Sequence, residues 1–270
     1  MIRLAVVGDP IAHSRSPEIH YAFAAQFGLA IDYQKIRPER FEDSVAALIS
    51  SGARGFNCTV PFKGAAFERC DTLSPVAQAT GAVNTVVIEG DVLHGENTDG
   101  DGLLRDLMHN LKWRLADIRI LLIGAGGAAR GVLPSLLSAR PSCLHLTNRT
   151  LSRASDLVST RPEAGSVLSA VAGSELSESY DLVINATSAG LHDVVPDLPA
   201  SIISSETRAY DMVYGRNVTA FNHWATRQGA RECVDGLGML AEQAALAFSH
   251  WTGQLPETRD VMVQLRQDLR

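Results

Sequence analysis

The sequence predicts an α/β protein with two α/β domains, and three observations point there. Short runs rich in Val, Ile and Leu alternate with helix-like stretches along the whole chain. Two of them, residues 83–88 and 92–95, are joined through Glu89-Gly90-Asp91, which suits an antiparallel hairpin. A glycine turn, Gly124-Ala-Gly126-Gly127, falls mid-chain with a complete α/β unit ahead of it.

The elements follow in order. Residues 3–7 read as a strand, and Ser16-Pro17-Glu18 opens a helix expected to stop near Gly28. Residues 31–35 form a second strand, 41–51 a helix ended by Gly52, and 55–59 a third strand broken by Pro61. After the hairpin a helix is expected over 102–112. Buried-type strands then recur at 118–123, 143–147, 181–185, 208–212 and 231–235, before a long helix over 239–250. Parallel βαβ units with one antiparallel addition make a mainly parallel sheet the natural outcome, and a ligand cleft is expected at the carboxyl ends of strands and between the domains.

Bulk properties narrow the function. A length of 270 residues allows one large domain or two smaller ones. The net charge of -6 and pI near 5.7 leave no electrostatic footprint for nucleic acid, and no basic run suggests a membrane surface. Cys58, Cys70, Cys143 and Cys233 are scattered with no C-x-x-C pair, so neither a zinc site nor a disulfide framework is expected, and the reduced cytoplasm is the natural compartment. The apolar N-terminal run is too short for a signal peptide, and the histidines show no metal-ligand spacing, so no metal is predicted.

The glycine turn carries the first chemistry. Gly124, Gly126 and Ala129 fit the G-x-G-x-x-G/A spacing between an apolar strand and a helix. The first glycine permits the turn, the second lets the backbone approach a pyrophosphate, and the small third residue lets helix and strand pack closely. Residues Gly124, Ala125, Gly126, Gly127 and Ala128 would then present helix N–H groups to phosphates. After the next strand comes Asn148-Arg149-Thr150-Leu-Ser-Arg153, where an NAD site usually places an acid for the ribose 2′-hydroxyl. The acid is missing and Arg149 and Arg153 could fork onto a 2′-phosphate, which selects NADP; the plain alternative is a pair of solvated surface arginines.

Three polar clusters follow predicted strands in the first half. Ser14-Arg-Ser16-Pro17 sets two hydroxyls at a helix start, suited to a carboxylate or phosphate, although Ser16 could equally be a simple cap. Asn57-Cys58-Thr59-Val-Pro61-Phe-Lys63 ends with a lysine at a helix start, where the dipole disfavours a cation by roughly 0.3–1 kcal/mol. Asn84-Thr85 and Glu96-Asn97-Thr98-Asp99-Gly100 flank the hairpin; Asp99 reads as a loop or cap residue unless it partners Lys63, when the pair can orient a hydroxyl and move its proton.

Together with Gly81-Ala-Val-Asn84-Thr85, Asn97-Thr98-Asp99-Gly100, Tyr210-Asp-Met212-Val-Tyr214 and Asp235-Gly236-Leu-Gly238-Met-Leu-Ala-Glu-Gln243, these motifs closely resemble those of the shikimate dehydrogenases, in order, from residue 3 to about 250. The resemblance implies reversible NADPH-dependent reduction of 3-dehydroshikimate to shikimate, a step in aromatic amino-acid biosynthesis. It implies Lys63 as catalytic acid/base with Asp99 as its partner. Ser14, Ser16 and Tyr214 would hold the substrate carboxylate, and Thr59, Asn84 and Gln243 would bind hydroxyls or line the pocket. Gly124 to Ala128, Asn148, Arg149, Thr150, Arg153, Met212 and Gly236 would surround NADP. Read alone, Tyr214 and Gln243 are core-edge polar residues.

The implied domains are 1–100 for substrate binding and catalysis, 101–234 as a Rossmann-type NADP domain, and 235–270 as C-terminal helices returning to the first. The expected assembly is a monomer or homodimer. Pro75 stands where many relatives carry an acid near the cofactor, and Cys58, where valine is common, is a small buried substitution. The Thr187-Ser188-Ala189-Gly190 loop could touch the nicotinamide half, or be a plain turn. Two rival functions remain: a quinate/shikimate dehydrogenase of broader use, against whose NAD-using forms Arg149 argues, and a silent NADP-binding regulator, against which retention of Lys63, Asp99 and Gln243 argues.

Overall fold

The computed structural model describes residues 1–187, 194–195 and 197–269. Contacts group the chain into two compact units: Met1–Gly102 with Ala241–Leu265, and Leu103–Leu240 with the residues from Arg266 onward.

In the first unit the chain runs β1 (Ile2–Val7), α1 (Ser16–Gln26), β2 (Ile31–Ile36), α2 (Phe41–Ser50), β3 (Gly55–Cys58), α3 (Lys63–Arg69), β4 (Thr72–Leu73), α4 (Pro75–Thr80), β5 (Thr85–Glu89), β6 (Val92–Glu96) and α5 (Asp99–Arg105). The sheet order is β2-β1-β3-β5-β6-β4. Only β5 runs against its neighbours: the short Gly90 turn returns the chain directly from β5 into an antiparallel β6, and β1, β2, β3, β4 and β6 all run the same way. Residues Gly55–Cys58 are all buried, and the strand turns at once into α3. The Ser14, Asn57–Lys63 and Asn97–Asp99 clusters therefore lie at or after the carboxyl ends of β1, β3 and β6, whereas Asn84-Thr85 enters β5 at its amino end, which the antiparallel pairing sets beside the carboxyl end of β3.

Two local features differ from expectation. The helix expected from residue 102 starts at Asp99, and its second half is a π-helical turn, Asp106–Asn110. Gly102 is not a helix opener: a Cβ there would lie 2.6 Å from the Cβ of Gln243 and 2.7 Å from its backbone N, so glycine is what lets the two helices touch. Pro75 occupies the first turn of α4, whose N–H at Ala77 is capped by Ser74 Oγ at 3.2 Å.

The second unit continues with β7 (Arg119–Ile123), α6 (Gly127–Ser138), β8 (Cys143–Thr147), α7 (Leu151–Ser159), β9 (Leu168–Ala170), β10 (Leu182–Asn185), β11 (Arg208–Asp211), α8 (Ala220–Arg227), β12 (Glu232–Asp235), α9 (Leu237–Thr252) and α10 (Arg259–Asp268), the last two helices running into residues grouped with the first unit. All pairings are parallel in the order β12-β11-β10-β7-β8-β9. Leu121, Leu122, Val183 and Ile184 have no exposed surface, as strands covered on both faces require. The winding reverses between β7 and β10, and this is where open α/β sheets place their ligand crevice. The glycine turn follows β7 directly.

Candidate active site

Lys63 is the first residue of α3 and Asp99 the first of α5. Lys63 Nζ donates to Asp99 Oδ2 at 2.5 Å, with the side chains 32% and 14% exposed. At that burial the pair is poorly screened while Lys63 keeps access to a ligand. The other carboxylate oxygen, Oδ1, accepts from Asn84 Nδ2 at 2.9 Å, and the Asp99 N–H donates to Asn97 Oδ1 at 3.1 Å. The Thr98 backbone N–H donates to Asn84 Oδ1 at 2.9 Å and so fixes which end of the amide is oxygen. Asn84 Nδ2 has two hydrogens, and its near acceptors are Asp99 Oδ1 and Thr98 Oγ1; Gln243 Oε1, at 3.4 Å, stands at the edge of the same group.

Ser14 Oγ donates to Ser16 Oγ at 3.1 Å, and the Ser16 N–H to Ser14 Oγ at 3.3 Å. Arg15 occupies the cap position and no side chain caps α1, so Ser16 does not act as the cap that its sequence context allowed. Ser16 also hydrogen-bonds the Tyr33 phenol, and burial raises the Tyr33 pKa well above its ordinary value. Tyr33 stacks on His20 with centroids 4.5 Å apart, and burial pushes the His20 pKa down to about 3, so the imidazole is neutral. Thr59 follows β3 and its N–H donates to Val7 O at 3.0 Å. A Cβ at Gly8 would lie 2.3 Å from Thr59 Cγ2, so glycine makes room for that side chain.

In the second unit Gly124 has φ +110°, a conformation that favours glycine, and packs against Ala186 and Thr187. Gly126 and Gly127 differ: both are exposed, and an added Cβ would meet nothing within 4 Å. The protein's own packing does not demand glycine there, whereas a ligand resting on that backbone would. Gly126 caps α6 with no side-chain hydrogen bond, leaving the first-turn N–H groups of Gly127 and Ala128 to an anion, while Ala125 precedes them and Ala129 is fully buried. Asn148 Nδ2 donates to Thr150 O at 2.9 Å and shapes the turn after β8. Arg149 and Arg153 are exposed, and neither guanidinium makes an ion pair among the described residues. Open glycines, uncapped amides and two available guanidiniums fit a phosphorylated dinucleotide.

Met212 follows β11, its N–H donating to Asn185 O at 2.9 Å, and half-buried Tyr214 lies on the same loop. A Cβ at Gly236 would sit 2.3 Å from Met212 O, so these two loops meet backbone to backbone. Thr187 donates to Asn185 Oδ1 through its N–H at 3.1 Å and its hydroxyl at 2.8 Å. Ser188, Ala189 and Gly190 of that loop lie outside the described residues.

Three family profiles match the chain in sequence. Residues 6–86 match the Shikimate dehydrogenase substrate binding domain, 106–220 Shikimate / quinate 5-dehydrogenase, and 236–265 the Shikimate 5'-dehydrogenase C-terminal domain. The chain is 47% identical over 279 residues to a shikimate dehydrogenase (NADP(+)) of Cupriavidus pinatubonensis, covering 99% of this chain and 95% of that one. The chain belongs to the shikimate dehydrogenase family. Its fold is also similar to solved structures: an Ael1 enzyme from Pseudomonas putida (TM-score 0.93, 42% identity, 98% of each chain). A second is the Thermus thermophilus shikimate 5-dehydrogenase in complex with NADP(H) and shikimate (TM-score 0.89, 37% identity, 100% of each chain).

Within this shikimate dehydrogenase relative, Ser14, Ser16, Thr59, Lys63, Asn84, Asp99 and Gln243 belong to the first unit, and Tyr214 with the glycine-turn, arginine, Met212 and Gly236 positions to the second. Sequence reasoning gave no role to Tyr33, Asn57, Thr85 or Thr98, although all but Tyr33 lie inside the quoted motifs. Their signal was membership of those motifs without reactive chemistry of their own.

Proposed function

We propose that the protein is an NADP-dependent shikimate dehydrogenase, an oxidoreductase that reversibly reduces 3-dehydroshikimate to shikimate in aromatic amino-acid and chorismate biosynthesis. The observation that carries this reading is the Lys63–Asp99 pair at 2.5 Å, bordered by the Asn84 amide and Gln243. Bound NADPH supplies a hydride to the substrate's ring carbonyl carbon. As negative charge grows on the carbonyl oxygen, the Lys63 ammonium stabilises it and transfers its proton there, leaving a hydroxyl. Asp99 anchors Lys63 through Oδ2 and keeps it directed. In the reverse direction neutral Lys63 takes the hydroxyl proton.

The Ser14 and Ser16 hydroxyls, adjacent at 3.1 Å, suit a carboxylate; Tyr214 is assigned to the substrate by the family resemblance alone. Thr59, Asn84 and Gln243 bind ring hydroxyls or line the pocket. Gly124 to Ala128 would hold the pyrophosphate and Asn148 to Arg153 the adenosine end with Arg149 and Arg153 on the 2′-phosphate, while Met212 and Gly236 would also border NADP. The four cysteines are free, which suits the reducing cytoplasm. No helix among the described residues is long and apolar enough to cross a membrane.

The test is a spectrophotometric assay of shikimate and quinate, each with NADP and with NAD. Shikimate with NADP gives the highest kcat/KM; equal use of quinate, or a preference for NAD, contradicts the assignment. Sedimentation of the same preparation tests the proposed monomer or homodimer.

A further inference from the structure

Behind the Lys63–Asp99 pair runs a line of buried hydrogen bonds whose direction is set by two backbone groups. Asn57 Nδ2 donates to the Asn84 carbonyl at 3.1 Å, and a carbonyl can only accept. Asn57 Oδ1 must therefore face the Tyr33 hydroxyl, which donates to it at 2.6 Å. Asn57 Nδ2 also donates to Thr85 Oγ1 at 3.0 Å, so the Thr85 proton is directed onward to Asn84 Oδ1 at 2.9 Å. The Thr98 N–H, which can only donate, meets the same Asn84 oxygen. The Asn84 nitrogen is thereby turned toward Asp99 Oδ1. Asn57, Asn84 and Thr85 are 7%, 2% and 0% exposed, so solvent does not compete for these groups.

We infer that Thr85, with Asn57 and Tyr33 behind it, is a positioning residue that locks the Asn84 amide with its N–H toward Asp99 and so holds the carboxylate that directs Lys63. This inference rests on the proposed roles of Lys63 and Asp99. None of the three touches the reacting atoms; they act through Asn84. Bonds that all donate in one direction polarise one another, so the line strengthens the final N–H···O contact on Asp99.

The test is a double-mutant cycle on kcat/KM for shikimate. Thr85→Val keeps the shape and removes the hydroxyl; it lowers kcat/KM about tenfold and leaves the Kd for NADP unchanged. Thr85→Ser restores the rate to within about twofold. In an Asp99→Asn background, followed at enzyme concentrations high enough for the slow variant, Thr85→Val has less than a twofold further effect, because the contact it supports is already altered. The same tenfold factor in both backgrounds, or wild-type activity in Thr85→Val, overturns the inference. If Thr85→Val does not fold, Tyr33→Phe at the far end of the line replaces it in the same cycle. Lys63→Ala measured alongside separates the two levels: a fast Lys63→Ala enzyme removes the underlying assignment, whereas a slow one with no Thr85–Asp99 coupling removes only this inference.

Discussion

Gly102 of α5 and Gln243 of α9 approach so closely that a methyl group at 102 would lie 2.6 Å from the Gln243 Cβ and 2.8 Å from its Cα. The missing side chain sets where Gln243 sits, and Gln243 Oε1 reaches the Asn84 nitrogen at 3.4 Å. Gly102→Ala overpacks this contact and costs about 1–3 kcal/mol of stability. Chemical denaturation reads that loss, and the same variant has a raised KM for shikimate. A Gly102→Ala protein of unchanged stability would show that the helices separate freely.

His20 makes stability depend on pH. It is fully buried among Tyr33, Phe23, Phe248 and Trp251, with a pKa lowered from 6.5 to about 3 by burial. The unfolded chain binds a proton below pH 6.5 that the folded chain refuses until about pH 3. The stability from neutral His20 is therefore complete above pH 6.5 and falls by about 1.4 kcal/mol per pH unit below it. Urea unfolding at pH 7 and pH 5 measures the slope, and His20→Phe flattens it. Equal slopes in the two proteins would assign the acid sensitivity elsewhere.

Arg149 and Arg153 are the groups expected to distinguish NADPH from NADH. A charge-assisted hydrogen bond is worth about 1.5–3 kcal/mol, so Arg149→Ala raises the KM for NADPH about 10- to 100-fold and leaves that for NADH near its original value. Equal weakening toward both cofactors would place the arginine on a group that they share.

The alternation of apolar runs is enough to read most of both sheets, because central strands such as β7 and β10 are buried on both faces and carry continuous hydrophobic stretches. Short elements are less legible. The two-residue β4 and three-residue β9 are held by their sheet neighbours and have no periodicity of their own. The start of α5 is misread from sequence because Gly100 and Gly102 look like loop residues, whereas Gly102 is glycine for a contact with residue 243, far along the chain. At the candidate site, Lys63 and Asp99 are legible as chemistry and their meeting as a resemblance. The Tyr33–Asn57–Thr85 line is not, since hydroxyl and amide side chains show their purpose only when partners 24 and 28 residues away are in place.

If Lys63 moves the proton, the steady-state rate of shikimate oxidation with NADP must collapse in Lys63→Ala. The kcat falls by about 10²–10⁴-fold with the KM for shikimate within a few-fold of its original value, since the proton carrier is lost while the other binding groups remain. A Lys63→Ala enzyme with undiminished kcat would contradict that role.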